Sequence, residues 1–413
     1  MMKGAKPNVL KAIGGCPIVK LNTIANGVDS EIYVKLEYMN PGGSTKDRIG
    51  VYMLDRALED GRLKPGGTII EGTSGNTGVG LAMWAAVHKY KCIFVLADKQ
   101  SKEKIDNLRA FGAKVVVCPT NVEPEDPRSY YSVSKRLSET IPNSFYVNQY
   151  DNLNNRETHY NWTAPEMFEQ TSGDFDTFMA TIGTGGTISG CGQYFKEKMP
   201  NVKIVGIDCV GSIVAHYAKT GEMIQAHSYV LEGVGEDFIP ENYNFDVIDD
   251  WEVVGDKESF LMTRKLLKDE GIYAGGSAGA AICGALKYAQ KLKKPEKILV
   301  LLHDSGNRYA SKIFNDDWMS DNGYLESAFN VQIKDVINEL GKLPIELSLT
   351  TNAILVDQYI LDLKKAGVKS VNVSLDTLKE ERFNTITKRD YFKKVMSNIQ
   401  LLIQENFKVK INV

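Results

Sequence analysis

The chain has 413 residues, with 49 basic and 52 acidic side chains and a formal net charge of −3, and this length predicts two or three domains of roughly 100–200 residues each. The near balance of charges argues against a dedicated nucleic-acid surface, although a local site could still bind a small anion. No apolar run reaches the roughly 18 residues of a membrane-spanning helix, and the first residues lack the apolar core of a signal peptide, so we expect no membrane partner.

The first three-quarters of the chain alternates short β-branched runs with helical patterns. Strands are predicted at 31–38, 67–73, 92–98 and 114–120, and helices at 76–90 and 101–113. The alternation resumes at 177–199 and 203–210, and it ends near 297–319. Strands that alternate with helices of this length predict parallel βαβ units and an α/β fold.

The last part of the chain repeats this pattern after about residue 328. Strands are predicted at 345–354, 370–378 and 408–413, and helices at 356–367 and 391–407. We therefore predict two domains, 1–328 and 329–413. A lone βαβαβ unit would leave an edge or a face of its sheet uncovered.

The cysteines do not form a metal or disulfide pattern. They are Cys16, Cys92, Cys118, Cys191, Cys209 and Cys283, and none belongs to a C-x-x-C pair. Several lie in or beside apolar strand-like runs, which is typical of buried free thiols. We expect no metal site and a reducing, cytoplasmic location.

One lysine, Lys46, stands among glycines and hydroxyls in the stretch NPGGSTKDRIG at 40–50. Most lysines are solvent-facing charges, so the stretch alone favours a surface residue. Three glycine-rich segments lie at strand-to-helix junctions: EGTSGNTGVG (71–80), TIGTGGTISG (181–190) and YAGGSAGAA (273–281). Because loops at the carboxyl ends of parallel strands line the ligand crevice, we expect these loops and Lys46 to share one site.

The segment 181–190 is predicted to bind an anion. Gly183, Gly185 and Gly186 allow a ligand to approach the backbone, and Thr184 and Thr187 add hydroxyl donors. The helix that follows directs free N–H groups at the loop, so a phosphate would be held without Arg or Lys. The dinucleotide fingerprint would need a glycine where Ile188 stands, and the P-loop lysine is absent. The alternative is a glycine turn that packs a helix closely on a strand.

The other two loops offer uncharged polar groups. Thr73, Ser74 and Thr77 suit a carboxylate, or they cap the helix that follows. Asn76 can donate a hydrogen bond to a phenolic oxygen. Ser277 is either a helix cap or a neutral partner for a ring nitrogen.

The motifs NPGGSTKDR, EGTSGNTG, GTGGTISG and GGSAGAA, in this order, resemble the fold-type II pyridoxal-phosphate enzymes, the cysteine synthase and cystathionine β-synthase family, over roughly residues 8 to 322. The resemblance implies an α/β fold with two parallel-sheet subdomains and the cofactor pyridoxal 5′-phosphate. It implies that Lys46 is the catalytic lysine that attaches the cofactor. The other implied cofactor contacts are Asn76, Gly183, Thr184, Gly185, Gly186, Thr187 and Ser277. The implied substrate-binding residues are Thr73, Ser74, Gly75, Thr77 and Gln149.

Several details are more similar to cystathionine β-synthase than to cysteine synthase. They include NQYDN with Tyr150, THYNWTAPEM with His159, and EGVGEDFIP with Asp237; Cys16 departs from the usual threonine. The resemblance implies β-replacement on L-serine with homocysteine, which forms cystathionine in transsulfuration and cysteine biosynthesis, by a homodimer. The main alternative is a cysteine synthase that uses O-acetylserine and sulfide. A serine or threonine dehydratase and a catalytically silent binding protein are more distant alternatives.

The segment from about 334 to 413 resembles part of the molybdenum-cofactor GTP cyclohydrolase, a radical S-adenosylmethionine enzyme. Thr351, Ser374 and Lys410 fall on nucleotide-contact positions of that family, whereas Ala353 stands where glycine is usual. The cluster motif C-x-x-x-C-x-x-C is absent, since no cysteine follows Cys283. We predict a partial β/α-barrel-like fragment without radical chemistry. A nucleotide sensor is the alternative.

Overall fold

The structure is a computed structural model, and it describes residues 2–120, 122–123, 126–325, 336–375, 377–387 and 391–412. The chain divides into two compact units, Met1–Tyr324 and Leu325–Val413. The predicted boundary between 328 and 329 lies outside the described residues. Among the residues that are described, every helix is too short or too polar to cross a membrane.

The first unit contains strands and helices in alternation. Its strands are β1 (Ile18–Lys20), β2 (Glu31–Leu36), β3 (Thr68–Gly72), β4 (Lys91–Ala97), β5 (Lys114–Cys118), β6 (Ser144–Tyr146), β7 (Thr177–Thr181), β8 (Lys203–Cys209), β9 (Asp250–Val254) and β10 (Lys297–Leu302). Its helices are α1 (Lys46–Glu59), α2 (Asn76–His88), α3 (Lys102–Ala110), α4 (Tyr130–Thr140), α5 (Asn154–Thr158), α6 (Ala164–Thr171), α7 (Gly186–Lys198), α8 (Val214–Thr220), α9 (Asp256–Glu270), α10 (Gly276–Lys291) and α11 (Asp316–Asp321). A π-helical turn, His159–Thr163, separates α5 from α6.

Two sheets organise these strands. One has the order β1-β2-β10-β7-β8-β9, and the other has the order β5-β4-β3-β6. All neighbours are parallel except β1, which pairs antiparallel with β2. All five residues of β7 are buried, as expected for a parallel strand covered on both faces. The predicted α/β fold with two parallel sheets is confirmed, and the antiparallel edge strand is an addition to it.

Backbone hydrogen bonds connect two distant loops to the residues that follow β10. The N–H of Thr45 donates to the carbonyl of His303 at 2.9 Å, and the N–H of Gly275 donates to the carbonyl of Asp304 at 2.9 Å. The loops that precede α1 and α10 are therefore held against the carboxyl end of a central strand.

The second unit contains β11 (Leu347–Thr351), α12 (Ile360–Lys365), β12 (Val368–Ser374), α13 (Glu380–Thr387), α14 (Phe392–Gln404) and β13 (Lys408–Asn412). The three strands form a parallel sheet in the order β11-β12-β13. Val371 and Val373 of β12 pack with Val395 and Leu402 of α14 in the core. The predicted βαβαβ order is present, with α13 as a helix that the sequence pattern did not indicate.

The turn after β11 is held by side chains. Ala353 has a φ of 59°, a left-handed conformation that favours glycine. Its N–H donates to Thr351 Oγ1 at 3.1 Å, and its carbonyl accepts from Asn398 Nδ2 at 2.8 Å. Ser374 and Lys410 are exposed on the sheet. These contacts explain how alanine is tolerated there; the nucleotide contacts stay predictions.

Candidate functional site

A pocket in the first unit has about 650 Å³ of empty space, which includes its opening to solvent. It lies at the carboxyl ends of β3, β7 and β10, where the three glycine-rich loops meet α1. The predicted site residues that line it are Lys46, Ser74, Asn76, Gln149, Gly183, Thr184, Gly185, Thr187 and Ser277. The folded chain thus brings segments more than 200 residues apart into one cleft.

Lys46 is the first residue of α1 and lines the pocket. Burial lowers the pKa of its amine to about 8, although the charges of Asp304 and Glu236 oppose that shift. A larger fraction of the amine is therefore neutral near pH 7 than for an exposed lysine. Lys46 can act as a nucleophile or as a proton acceptor.

Asn76 is fixed by a carboxylate that the sequence analysis missed. Its Nδ2 donates to Asp304 Oδ2 at 2.8 Å, and Tyr309 OH donates to the same oxygen at 2.8 Å. Within the described part of the chain, the buried Asn76 Oδ1 and Asp304 Oδ1 have no hydrogen-bond partner. Asp304 lies two residues after the end of the buried apolar strand β10, and this position at a carboxyl strand end is the available signal in the sequence.

The loop at 183–187 forms an uncharged cradle. Gly185 has a φ of 81°, and a Cβ there would lie 2.7 Å from the ring of Tyr243. Tyr243 OH donates to the carbonyl of Gly183 at 2.9 Å. Among the lining residues that the structure describes, Lys46 is the only cationic side chain. An anion in this loop would rely on hydroxyls and on the free N–H groups at the start of α7.

His159 hydrogen-bonds to Thr187 of the loop at 183–187. Its Nε2 lies 3.2 Å from Thr187 Oγ1, and its Nδ1 lies 3.0 Å from Thr163 Oγ1. Burial, together with the nearby charge of Lys46, lowers the pKa of His159 well below its ordinary value. The ring is therefore neutral, and it orients the hydroxyl of Thr187.

Side-chain hydrogen bonds also hold the loop that begins at Thr73. Thr73 Oγ1 accepts from the N–H of Gly75 at 3.0 Å, and Thr77 Oγ1 donates to Gln149 Oε1 at 2.6 Å. Gln149 Nε2 donates to the carbonyl of Gly72 at 2.9 Å. These bonds fix the loop while leaving Ser74 on the pocket surface.

Four of the predicted site residues lie outside the pocket lining: Thr73, Gly75, Thr77 and Gly186. Thr73 and Thr77 make the bonds described above, and Gly75 has a φ of 117°. A Cβ on Gly186 would overlap Asn155 Oδ1. The structure gives these four residues a role in shaping the loops, and direct ligand contact by them stays a prediction.

Two acidic residues of the pocket were also missed. Glu232 forms ion pairs with Lys104 at 2.6 Å and with Lys312 at 2.7 Å. Burial would raise its pKa, but the two lysines hold the pKa of Glu232 below its ordinary value. Glu236 differs, because burial raises its pKa to about 8. Both residues belong to EGVGEDFIP, a stretch that is similar to cystathionine β-synthase, but that similarity alone does not predict a site role for either carboxylate.

No group of three or more His, Cys, Asp or Glu side chains among the described residues is arranged to hold a metal ion. All six cysteines are free and buried.

Two protein families match the chain. The family described as pyridoxal-phosphate dependent enzyme matches residues 9–304. The radical SAM superfamily matches residues 323–413.

Curated relatives are similar over most of the chain. The cystathionine beta-synthase of Dictyostelium discoideum is 43% identical over 371 residues, which are 86% of this chain and 74% of that protein. The cystathionine beta-synthase of Rattus norvegicus is 44% identical over 328 residues, which are 79% of this chain and 58% of that protein.

Two solved structures share the fold. The O-acetylserine dependent cystathionine beta-synthase of Helicobacter pylori has a TM-score of 0.68 and 38% identity, covering 76% of this chain and 99% of its own. A hydrogen sulfide-producing enzyme of Fusobacterium nucleatum has a TM-score of 0.69 and 36% identity, covering 74% of this chain and 100% of its own.

Proposed function

Because the chain belongs to the family of pyridoxal-phosphate dependent enzymes, and within it to the cystathionine β-synthase family, we propose that it catalyses a β-replacement on L-serine with homocysteine that forms cystathionine. The chain spans 74% of the Dictyostelium relative but only 58% of the rat relative. The convergence of three glycine loops on Lys46 is the observation that carries the proposal.

The pocket suits pyridoxal 5′-phosphate at several points. A phosphate fits the uncharged cradle at 183–187, where the N-terminus of α7 favours an anion. Asn76 Oδ1 and Asp304 Oδ1 are buried without a hydrogen-bond partner among the described residues, which favours a polar ligand next to them. Ser277, in the first turn of α10, lines the same pocket and offers a neutral hydroxyl to a ring nitrogen. We therefore assign the cofactor to the predicted residues that line the pocket: Lys46, Asn76, Gly183, Thr184, Gly185, Thr187 and Ser277.

When bound, the cofactor withdraws electrons from the substrate α-carbon and makes its proton acidic. Lys46 Nζ is placed in the pocket to take up that proton, since burial keeps its pKa near 8. General-base catalysis is most effective when the pKa lies close to the working pH.

The loop at 73–77 would orient the amino acid. Ser74 faces the pocket, and Thr73, Thr77 and Gln149 hold the loop in place. Free N–H groups at the start of α2 favour a substrate carboxylate there.

A second candidate differs in its substrates. The Helicobacter structure is named for O-acetylserine dependence, and the same pocket residues would serve a cysteine synthase that combines O-acetylserine with sulfide. The motifs do not separate these reactions, because the substrates share their amino and carboxyl groups.

The test is a panel with purified full-length chain. L-serine and O-acetyl-L-serine are each combined with homocysteine and with sulfide, and kcat/KM is compared across the four pairs. We expect the highest value for L-serine with homocysteine. A higher value for O-acetylserine with sulfide would favour the second candidate. Release of a ketoacid without added thiol would favour a dehydratase, and the absence of any turnover would overturn the proposal.

We further propose that the enzyme is a cytoplasmic homodimer that binds neither nucleic acid nor membrane. Six free cysteines support a reducing compartment, and the balanced charge supports the lack of nucleic-acid binding. Light scattering coupled to size-exclusion chromatography would test the dimer. A monomeric mass would contradict it.

We also propose that residues 329–413 form a separate domain without radical chemistry. The match of 323–413 to the radical SAM superfamily and the lack of any cysteine after Cys283 support this. Iron analysis after anaerobic reconstitution tests it, and a stoichiometric iron–sulfur cluster would contradict it.

A further inference from the structure

Glu236 lies in the pocket on a backbone that is fixed on both sides. Its N–H donates to Ser212 Oγ at 3.1 Å, and its carbonyl accepts from the N–H of Ile213 at 3.1 Å. The preceding N–H, of Gly235, donates to the carbonyl of Ile182 at 2.7 Å. These bonds fix the backbone at Glu236, which limits the positions that its side chain can take.

The Glu236 carboxyl lies beside the glycine loop at 183–187 and on the pocket surface. Glu236 Oε1 lies 3.9 Å from the position that a Cβ on Gly183 would occupy. Gly183 opens the cradle, and both residues line the pocket together with Lys46 and Ser277. No other acid of the pocket is placed like this: Glu232 is neutralised by two lysines, and Asp304 is bonded to Asn76.

The surroundings keep the Glu236 carboxyl protonated. Burial raises its pKa most, the charges of Asp237 and Asp208 raise it further, and those of Lys99 and Lys46 lower it, with the result of about 8. Neighbouring groups whose own pKa values are raised by burial are Tyr130, Tyr131, Tyr150, Tyr229, Tyr243 and Cys209. These six groups are neutral near pH 7 and therefore add no charge next to Glu236.

We propose that Glu236 supplies the proton that the β-oxygen of L-serine needs in order to leave, and so determines the choice of amino-acid donor. This inference rests on the proposed β-replacement. Hydroxide is a poor leaving group, whereas acetate leaves O-acetylserine without a proton. An acid at this position therefore matters for the first donor and not for the second.

The proton balance closes over one turnover. Lys46 takes the Cα proton, and the electron pair of that C–H bond forms a Cα=Cβ bond. The Cβ–O bond breaks with its electron pair on oxygen, the Glu236 proton moves to that oxygen, and water departs. The thiol then loses its proton to the Glu236 carboxylate as its sulfur bonds to Cβ, and Lys46 returns its proton to Cα. The net change is serine plus thiol to thioether plus water, with Glu236 again protonated.

The test compares E236Q and E236D with wild type, using both donors and one thiol. For E236Q we expect kcat/KM for L-serine to fall by about 100-fold, a typical effect of losing a general acid, and that for O-acetyl-L-serine to change by less than about threefold. E236D should recover part of the serine activity. E241Q, at an exposed glutamate whose charge is not among those that shift the Glu236 pKa, is the matched control and should affect both donors equally little.

The outcomes separate this inference from the proposed function. Equal losses with both donors, or full serine activity in E236Q, would overturn the role of Glu236; the second result would point to Lys46 as the proton donor. Wild-type chain that is inactive with every donor and thiol would instead overturn the proposed function. With wild type, serine turnover should also fall as pH rises through the Glu236 pKa, and this limb should be missing with O-acetylserine.

A second measurement needs no turnover. Because the folded-state pKa of Glu236 is raised from 4.5 to about 8, wild type should lose stability relative to E236Q as pH rises across that interval, and the difference should level off above it. Melting temperatures of the two full-length proteins at a series of pH values report this. A difference that does not change with pH would show that Glu236 is not held protonated, and it would overturn the inference.

Discussion

The two units of the chain are both built from parallel strands and helices, yet their strands are buried differently. In the first unit every residue of β7 is buried, and in β10 only the first residue is partly exposed. In the second unit β11 alternates partly buried with exposed residues, and β13 is exposed at four of its five positions. The sheet that contains β7 and β10 is covered on both faces, whereas the sheet of the second unit presents a polar face.

The covering helices of the first unit explain where the pocket that contains Lys46 forms. Helices on both faces of the first unit's sheets place their N-termini and connecting loops around the carboxyl ends of the strands. The sheet of the second unit has equivalent strand ends at Thr351 and Ser374. Ser374 is exposed, however, and Thr351 Oγ1 accepts the N–H of Ala353 in the turn that follows β11. A parallel sheet alone therefore does not make a site; loops that close over its edge do.

The largest expected effect concerns Lys46. Lys46→Ala should reduce β-replacement by about 1,000-fold or more, because the proton acceptor and the cofactor attachment are lost together. Turnover assays and peptide mapping after borohydride reduction would check this. The control is Lys102→Ala, which removes an exposed lysine of α3. A reduced adduct on any other lysine would contradict the assignment.

The next effect tests the buried charges around the pocket. Lys104→Met leaves Glu232 with one of its two ion pairs, and we expect the free energy of unfolding to fall by about 3 kcal/mol, because both side chains are buried. Urea unfolding measures it, with Lys102→Met on the same helix as control. Since the pKa of Glu232 is lowered, this contribution is present above its ordinary value of 4.5 and should disappear as pH falls through the folded pKa. An unchanged deficit in acid would argue against the ion pair.

A smaller effect compares one glycine in each unit. Gly185→Ala should cost about 2–4 kcal/mol, since it combines left-handed strain with contact on Tyr243. Gly367→Ala should cost only about 1 kcal/mol, because its φ is 75° but nothing lies near its Cβ position. Unfolding curves would give both values, and fluorescence titration would give the cofactor affinity. If Gly367→Ala weakened cofactor binding, or if Gly185→Ala left the cofactor affinity unchanged, the assignment of the loop at 183–187 to the phosphate would be contradicted.

The sequence predicted what is local and periodic. The sequence pattern predicts the strands that become β3, β4 and β7, and glycines mark the ends of β3 and β7, so two loops of the pocket could be placed in advance. The third glycine-rich loop was expected after a strand, but it connects α9 to α10. Asp304 and Glu236 could not, because their partners lie far away in the chain: Asp304 bonds Asn76, 228 residues earlier. Strand β1 has three residues, too few to show a period, and α13 lies in a polar segment that gave no helical pattern.

The smallest expected effect is at a surface pair of the second unit. Lys364 of α12 and Glu405 at the end of α14 form an ion pair whose side chains are 43% and 37% exposed. Solvent screens such a pair, so a double-mutant cycle of Lys364→Ala and Glu405→Ala should give a coupling energy of at most about 1 kcal/mol, and less at high salt. Lys104 and Glu232, measured in the same way, should couple several times more strongly, because water does not screen them. If the two couplings were equal, burial would not be what distinguishes the charges of the first unit from those of the second.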